Sequence, residues 1–157
     1  MQHISYENLN TLERQILEEA EVAMETAYNP YSGFYVGAAL YSSDGSIITG
    51  SNVENMAYGS TICAERSAIL RANARGVRTY STIAIIGRGH DFDAVDVVSP
   101  CGSCRQMIYE SYQIAGEPIT VLMSDTQKEK IVRATIDELL PLGMGPRDLG
   151  VDISRYQ

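Results

Sequence analysis

All three cysteines of this chain fall in two short segments, "TICAERSAI" around Cys63 and "SPCGSCRQ" around Cys101 and Cys104. Each segment reads as the start of a helix. Helical periodicity follows Cys63 as far as Ala74, with Gly76 as the stop, and "GSCRQMIYESYQ" follows Pro100 and ends near Gly116-Glu117-Pro118. Helix starts carry unpaired N–H groups and the positive end of the helix dipole, so both sites favour thiolate over thiol. Two such starts facing each other would hold three thiolates around one cation. Soft sulfur ligands suit Zn²⁺, and three protein ligands leave a fourth position for water. The two histidines, His3 and His90, lie in no metal motif, although His90 in its loop stays open as a fourth ligand. An odd cysteine count argues against a disulfide framework and for a reducing compartment, the cytoplasm.

The rest of the chain supplies an α/β frame. Asn10-Thr11-Leu12-Glu13 reads as a capping box, followed by Leu12, Ile16, Ala20, Ala23 and Ala27 at helical spacing, with a stop expected before Asn29-Pro30. "FYVGAALYS" is a strand, and Asp44-Gly45 is a hairpin turn into "SIITGSN". The nearly all-apolar "STIAIIG" predicts a strand covered on both faces. Residues 89–99 lack a period and read as a loop. "ITVLMS" and "KIVRA" are further strands, and "IDELLPLG" is a short helix. About five strands alternate with helices, which predicts one α/β domain over residues 1–157 with helices on both faces of a single sheet.

Charge narrows the partners. The formal net charge is −8, and the twelve Lys and Arg residues are scattered rather than gathered into a basic stripe. Such a field repels phosphate backbones and argues against a nucleic-acid polymer. No apolar run approaches the ~18 residues of a membrane span, and "MQHISYENLN" lacks the features of a signal peptide. A small neutral or cationic ligand fits better.

Glu65 gives the candidate metal site a chemistry. It shares a helical turn with Cys63 and reaches the open face of a metal there without being a ligand. Zinc lowers the pKa of a bound water to about 7, and a carboxylate at that face takes the proton and returns it elsewhere. Alone, a C-x-x-C is often a redox pair or part of a structural zinc site, and a lone helix glutamate is usually a solvated face. C-A-E followed by P-C-x-x-C in this order is far more specific. It matches the zinc deaminases, including their all-cysteine variant and the glutamate that is not a ligand.

With "NPYSGFYVGAALYSSDG", "GSNVENMAYGSTICAERSAI", "SPCGSCRQ" and "ELLPLGMGPRDL", the chain resembles the small cytidine deaminases from about residue 12 to 149. The resemblance implies a three-layer αβα sandwich around a mixed sheet of about five strands. It implies hydrolytic deamination of cytidine and deoxycytidine in pyrimidine salvage, with one Zn²⁺ per chain on Cys63, Cys101 and Cys104. Glu65 would be the proton shuttle, Asn52 and Glu54 would bind the ribose hydroxyls, and Phe34 would lie against the pyrimidine. Backbone groups near Ala64 and Ser99-Pro100 would hold the base. The family's assembly, a homotetramer with sites shared between subunits, is implied in the same way. Nothing is read from the tails before Asn10 and after Leu149.

Several residues keep a second reading. Three thiolates leave a zinc centre negative, and a guanidinium donating to sulfur would offset that charge. Arg66 matches the family residue that does so, whereas for Arg105 a surface role is equally open. Asn52-x-Glu54 could be a plain turn, although alternation along an extended segment puts both side chains on one side. By composition alone, Phe34 and Tyr58 read as core or interface aromatics. A deaminase of blasticidin S or another modified cytosine nucleoside is the rival activity. Polynucleotide editing is disfavoured by the charge, and a non-enzymatic zinc module by Glu65 and the missing fourth ligand.

Overall fold

The capping box predicted at Asn10 is present in the computed structural model, which describes residues 1–157. Glu13 N donates to Asn10 Oδ1 at 2.9 Å, and Asn10 N donates to Glu13 Oε2 at 3.0 Å. The helix so started, α1, spans Thr11–Met24 and ends well before Pro30. Its stripe of Ile16, Leu17 and Ala20 is fully buried. Gly37 explains how closely it sits, because a Cβ there would come 1.8 Å from Ala20 O.

The strands are β1 (Gln2–Ile4), β2 (Phe34–Ser42), β3 (Ile47–Ser51), β4 (Tyr80–Gly89), β5 (Thr120–Ser124) and β6 (Ile131–Thr135). The remaining helices are α2 (Ala64–Ala74), α3 (Gly102–Ala115) and the single turn α4 (Ile136–Leu139). The sheet has six strands in the order β1-β6-β5-β4-β2-β3. It is mixed, since β4 and β5 run parallel and every other pair is antiparallel. The sixth strand corrects the expected count of about five. β1 pairs only Gln2, His3 and Ile4 with the edge of β6, which is too short a run to show a period in sequence.

Strand alternation divides the core in two. Ala38, Leu40, Ile83, Ile85, Val121 and Met123 face α2, α3 and α4. Their neighbours Ala39, Ala84, Ile86 and Leu122 face α1 on the other side. That is the three-layer αβα arrangement, and it accounts for the all-apolar β4, which is covered on both faces. α2 also lies close to the sheet, since a Cβ on Gly50 would come 2.4 Å from Ala68 N. No helix is long and apolar enough to cross a membrane.

Candidate active site

β4, α3 and β5 form a parallel crossover unit, which puts the start of α3 at the carboxyl end of β4, where open α/β sheets bind their ligands. Cys101 is the N-cap of α3, and Cys104 lies in its first turn. Cys63 is the N-cap of α2. Paired bonds between Val53 and Ile62 (2.8 and 2.9 Å) fold the chain after β3 back to the same end of the sheet. The two helix starts therefore converge, as their cysteines predicted.

The sulfurs of Cys63 and Cys101 are 3.9 Å apart, those of Cys101 and Cys104 are 3.5 Å apart, and all three lie within 4.8 Å of one another. Zinc–sulfur bonds of about 2.3 Å in a tetrahedron put sulfurs about 3.8 Å apart. The trio fits that geometry and forms a cluster able to hold a metal ion. Cys104 is buried, Cys63 half-buried and Cys101 exposed, so the cluster is open on one side. His90 does not join it. Its side chain is 70% exposed, faces Asp91 and stacks on Tyr35.

Without a cation, Cys63 and Cys104 are shifted in opposite directions. The Cys63 thiol is lowered to about 5, first by the hydrogen bond from Cys104, with Arg66 and Cys101 lowering it further against burial. Cys104 is correspondingly raised, because it donates to Cys63 and is itself buried. A coordinating divalent cation would deprotonate all three. Arg66 Nη2 donates to Thr61 O at 2.6 Å and lies 3.9 Å from Cys63 Sγ, so its charge does face a sulfur. Arg105 is used differently. Its Nε donates to Pro100 O and its Nη1 to Leu139 O, both at 2.9 Å, tying the cysteine turn to α4.

Glu65, the second residue of α2, is 3% exposed. Burial pushes its carboxyl up to about 7, and the Cys63 thiolate adds to the rise. A carboxyl poised between its two protonation states beside a metal cluster is suited to passing protons. Ala64 is buried at the first position of α2, where its N–H is one of the donors without an intrahelical partner.

The pair at Asn52 and Glu54 divides its work. Asn52 is buried, and its amide fits into the backbone of β2: Nδ2 donates to Phe34 O at 2.9 Å, and Oδ1 accepts from Val36 N at 2.8 Å. One N–H and one lone pair of that amide stay free for another partner. Glu54 Oε2 accepts from Tyr31 N at 2.9 Å and Ser32 N at 3.2 Å. Burial would raise this carboxyl, but the Ser32 side chain and the Tyr31 and Ser32 amides outweigh it and hold it low. Glu54 is therefore a fixed anion, held through Oε2 by two backbone amides. The amides of Tyr31 and Ser32 have no sequence signal, since backbone donors leave none.

Phe34 opens β2 half-buried, while Tyr58 is 76% exposed and meets Tyr31 edge-on, so Tyr58 is not core. A concavity of about 620 Å³ lies at the opposite end of the sheet among Ser42, Asp44, Thr79 and Gln157. Hollow volume does not mark the chemistry here; the sulfur cluster and the buried carboxyl do.

Comparison with known proteins agrees with this geometry. Residues 10–116 match the family described as the cytidine and deoxycytidylate deaminase zinc-binding region. The cytidine deaminase of Sporosarcina psychrophila is 40% identical over 135 residues, 86% of this chain and 93% of that protein. The blasticidin-S deaminase of Bacillus cereus is more distant, at 34% over 137 residues, 83% of this chain and 93% of that protein. The crystal structure of cytidine deaminase from Burkholderia pseudomallei superposes with a TM-score of 0.74 at 35% identity, covering 87% of this chain and all of that one. A zinc-binding sequence region, a sulfur trio of zinc dimensions and a shared fold converge on one assignment: the chain belongs to the cytidine and deoxycytidylate deaminase family.

Proposed function

We propose that this protein is a zinc-dependent cytidine deaminase, hydrolysing cytidine and deoxycytidine to uridine and deoxyuridine with release of ammonia. The observation that carries this reading is the buried Glu65 carboxyl beside a three-sulfur cluster that is open on one side. Cys63, Cys101 and Cys104 are the ligands of one zinc per chain in this proposal. When bound, zinc supplies the Lewis acidity that makes water a nucleophile near neutral pH.

The chain's own residues manage the protons and the substrate. Glu65 takes a proton from the attacking water and delivers it to N3, which makes C4 more electrophilic. A new C–O bond forms at C4. Glu65 then carries the second proton to the exocyclic amine, the C4–N bond breaks, and neutral ammonia leaves. One carboxyl that collects and returns protons in turn serves as both base and acid. Arg66 offsets the negative charge of the sulfurs through Cys63. The Ala64 N–H and the backbone at Ser99-Pro100 orient the base, Phe34 lies against it, and Glu54 with the free side of Asn52 grips the sugar.

The test is the fall in ultraviolet absorbance when cytidine, blasticidin S or a cytosine-containing oligonucleotide is added to the zinc-loaded protein. Cytidine is expected to be converted fastest. Conversion of blasticidin S alone, or of the oligonucleotide alone, would overturn the proposal.

The reading extends to a single catalytic domain over residues 1–157, a role in pyrimidine salvage, and a reducing cytoplasm that suits free thiolates. It also includes a homotetramer with shared sites. The segment between β3 and α2, beside the sulfurs, exposes Val53, Met56 and Tyr58, apolar surface that a second subunit would cover. Light scattering should give about four times the 17.2 kDa chain mass. A monomer that is fully active at assay concentration would sink the shared site.

A further inference from the structure

Phe92 lies in the loop between β4 and α3, a stretch without sequence pattern, and 63% of its surface is exposed. The loop around it is braced. Gly89 N donates to Phe92 O at 2.8 Å, and Arg88 and Asp93 form a β-bridge. Ala94 and Thr126 exchange bonds of 2.8 and 3.2 Å, and Lys130 Nζ holds Asp96 at 2.6 Å. A large apolar ring is thus held in water by bonds on both sides of it.

The ring's position follows from two glycines. Phe92 closes over Gly89, where a Cβ would come 2.2 to 2.4 Å from three ring carbons. Gly89 pairs in register with Phe34, and the two aromatic rings stand 6.3 Å apart, tilted by 39°. On its other side, Phe34 shares the neighbourhood of Gly87 with Val98. A Cβ at Gly87 would meet Phe34 Cε1 at 3.2 Å and Val98 Cγ2 at 3.3 Å. Val98 packs against the core beneath α2 and α3 and precedes Cys101 by three residues. Starting three residues before Cys101, the surface therefore runs Val98, Phe34, Phe92.

A cytidine whose C4 faces the sulfurs carries its sugar on N1, on the far side of the ring. Resting on the deaminase reading of this site, we infer that Phe92 is the outer wall of the nucleoside pocket, covering the apolar face of the sugar beyond Phe34. Covering an exposed aromatic supplies binding that ground state and transition state share, so the contribution appears in KM and not in kcat. Free cytosine, which has no sugar, does not reach the wall.

The experiment compares wild type, Phe92→Ala and Phe92→Tyr as zinc-loaded proteins. Steady-state kinetics on cytidine and cytosine is joined to calorimetric binding of uridine, which has no amine to lose. In Phe92→Ala, KM for cytidine and Kd for uridine should both rise about 5- to 20-fold, while kcat and the kinetics on cytosine hold. Phe92→Tyr should restore most of the affinity. Unchanged KM and Kd in Phe92→Ala overturn the wall while leaving the deaminase reading intact. Loss of assembled mass in light scattering with KM unchanged also overturns it, by assigning Phe92 to a subunit contact. A wild-type protein that neither converts cytidine nor binds uridine overturns the deaminase reading first, and the wall with it.

Discussion

Glu65→Gln is expected to keep its full zinc content and lose at least about 10⁴-fold in kcat. The amide matches the carboxylate in shape, and α2 buries this position, so the site should remain folded around its metal. What disappears is the carboxyl proposed to accept and return protons. A single general acid–base catalyst contributes about 10²–10⁴-fold, and in the proposed mechanism one residue serves both N3 and the leaving amine, so the loss belongs at the upper end or beyond. The pH profile gives an independent check. Burial sets the carboxyl at about 7 in the metal-free chain, and a divalent cation beside it favours the ionised form. In the loaded enzyme the acid limb of the rate should therefore fall below pH 7, and Glu65→Gln should lack it. Metal analysis showing normal zinc in a variant that works near the wild-type rate would remove Glu65 from the mechanism.

Glu54→Ala is expected to lower kcat/KM for cytidine by about 10²–10³-fold while leaving the slow reaction of free cytosine nearly unchanged. The anion is already fixed by the amides of Tyr31 and Ser32, so a sugar hydroxyl bound as proposed would meet an acceptor that needs no reordering. Each lost hydrogen bond to a buried or charged group costs about 1–3 kcal/mol, and 1.36 kcal/mol is tenfold in rate. Part of the loss should fall on kcat, because binding at the sugar helps hold C4 at the reacting position. Glu54→Gln should retain some of the preference. Glu54 is a cleaner target than Asn52, whose amide is bonded into β2 and whose removal would disturb Phe34 as well. A wild-type protein equally efficient on cytosine and cytidine would refute a grip on the sugar.

The sequence by itself determined the features that depend on near neighbours. The capping box at Asn10 is a contact between residues three apart, and β2 covers the very residues its pattern gave, because a nearly continuous apolar run fills nine consecutive positions ahead of the Asp44-Gly45 turn. The cysteines could be placed at helix starts, and a common cation inferred, because thiolates of one charge need one to stand together. Tertiary structure alone decided what depends on distant partners. Cys63 meets Cys101 across 38 residues only because the fold brings α2 and α3 to one end of the sheet. β1 exists because the edge of β6 is there to pair with it. Arg66 and Arg105 look alike in sequence, each close to a cysteine, yet one faces sulfur and the other two carbonyls, since the reach of a long side chain depends on what surrounds it. Asn52 and Phe92 follow the same rule: an amide is claimed by the nearest unpaired backbone, and a ring in an unpatterned loop acquires its place from the glycine beneath it.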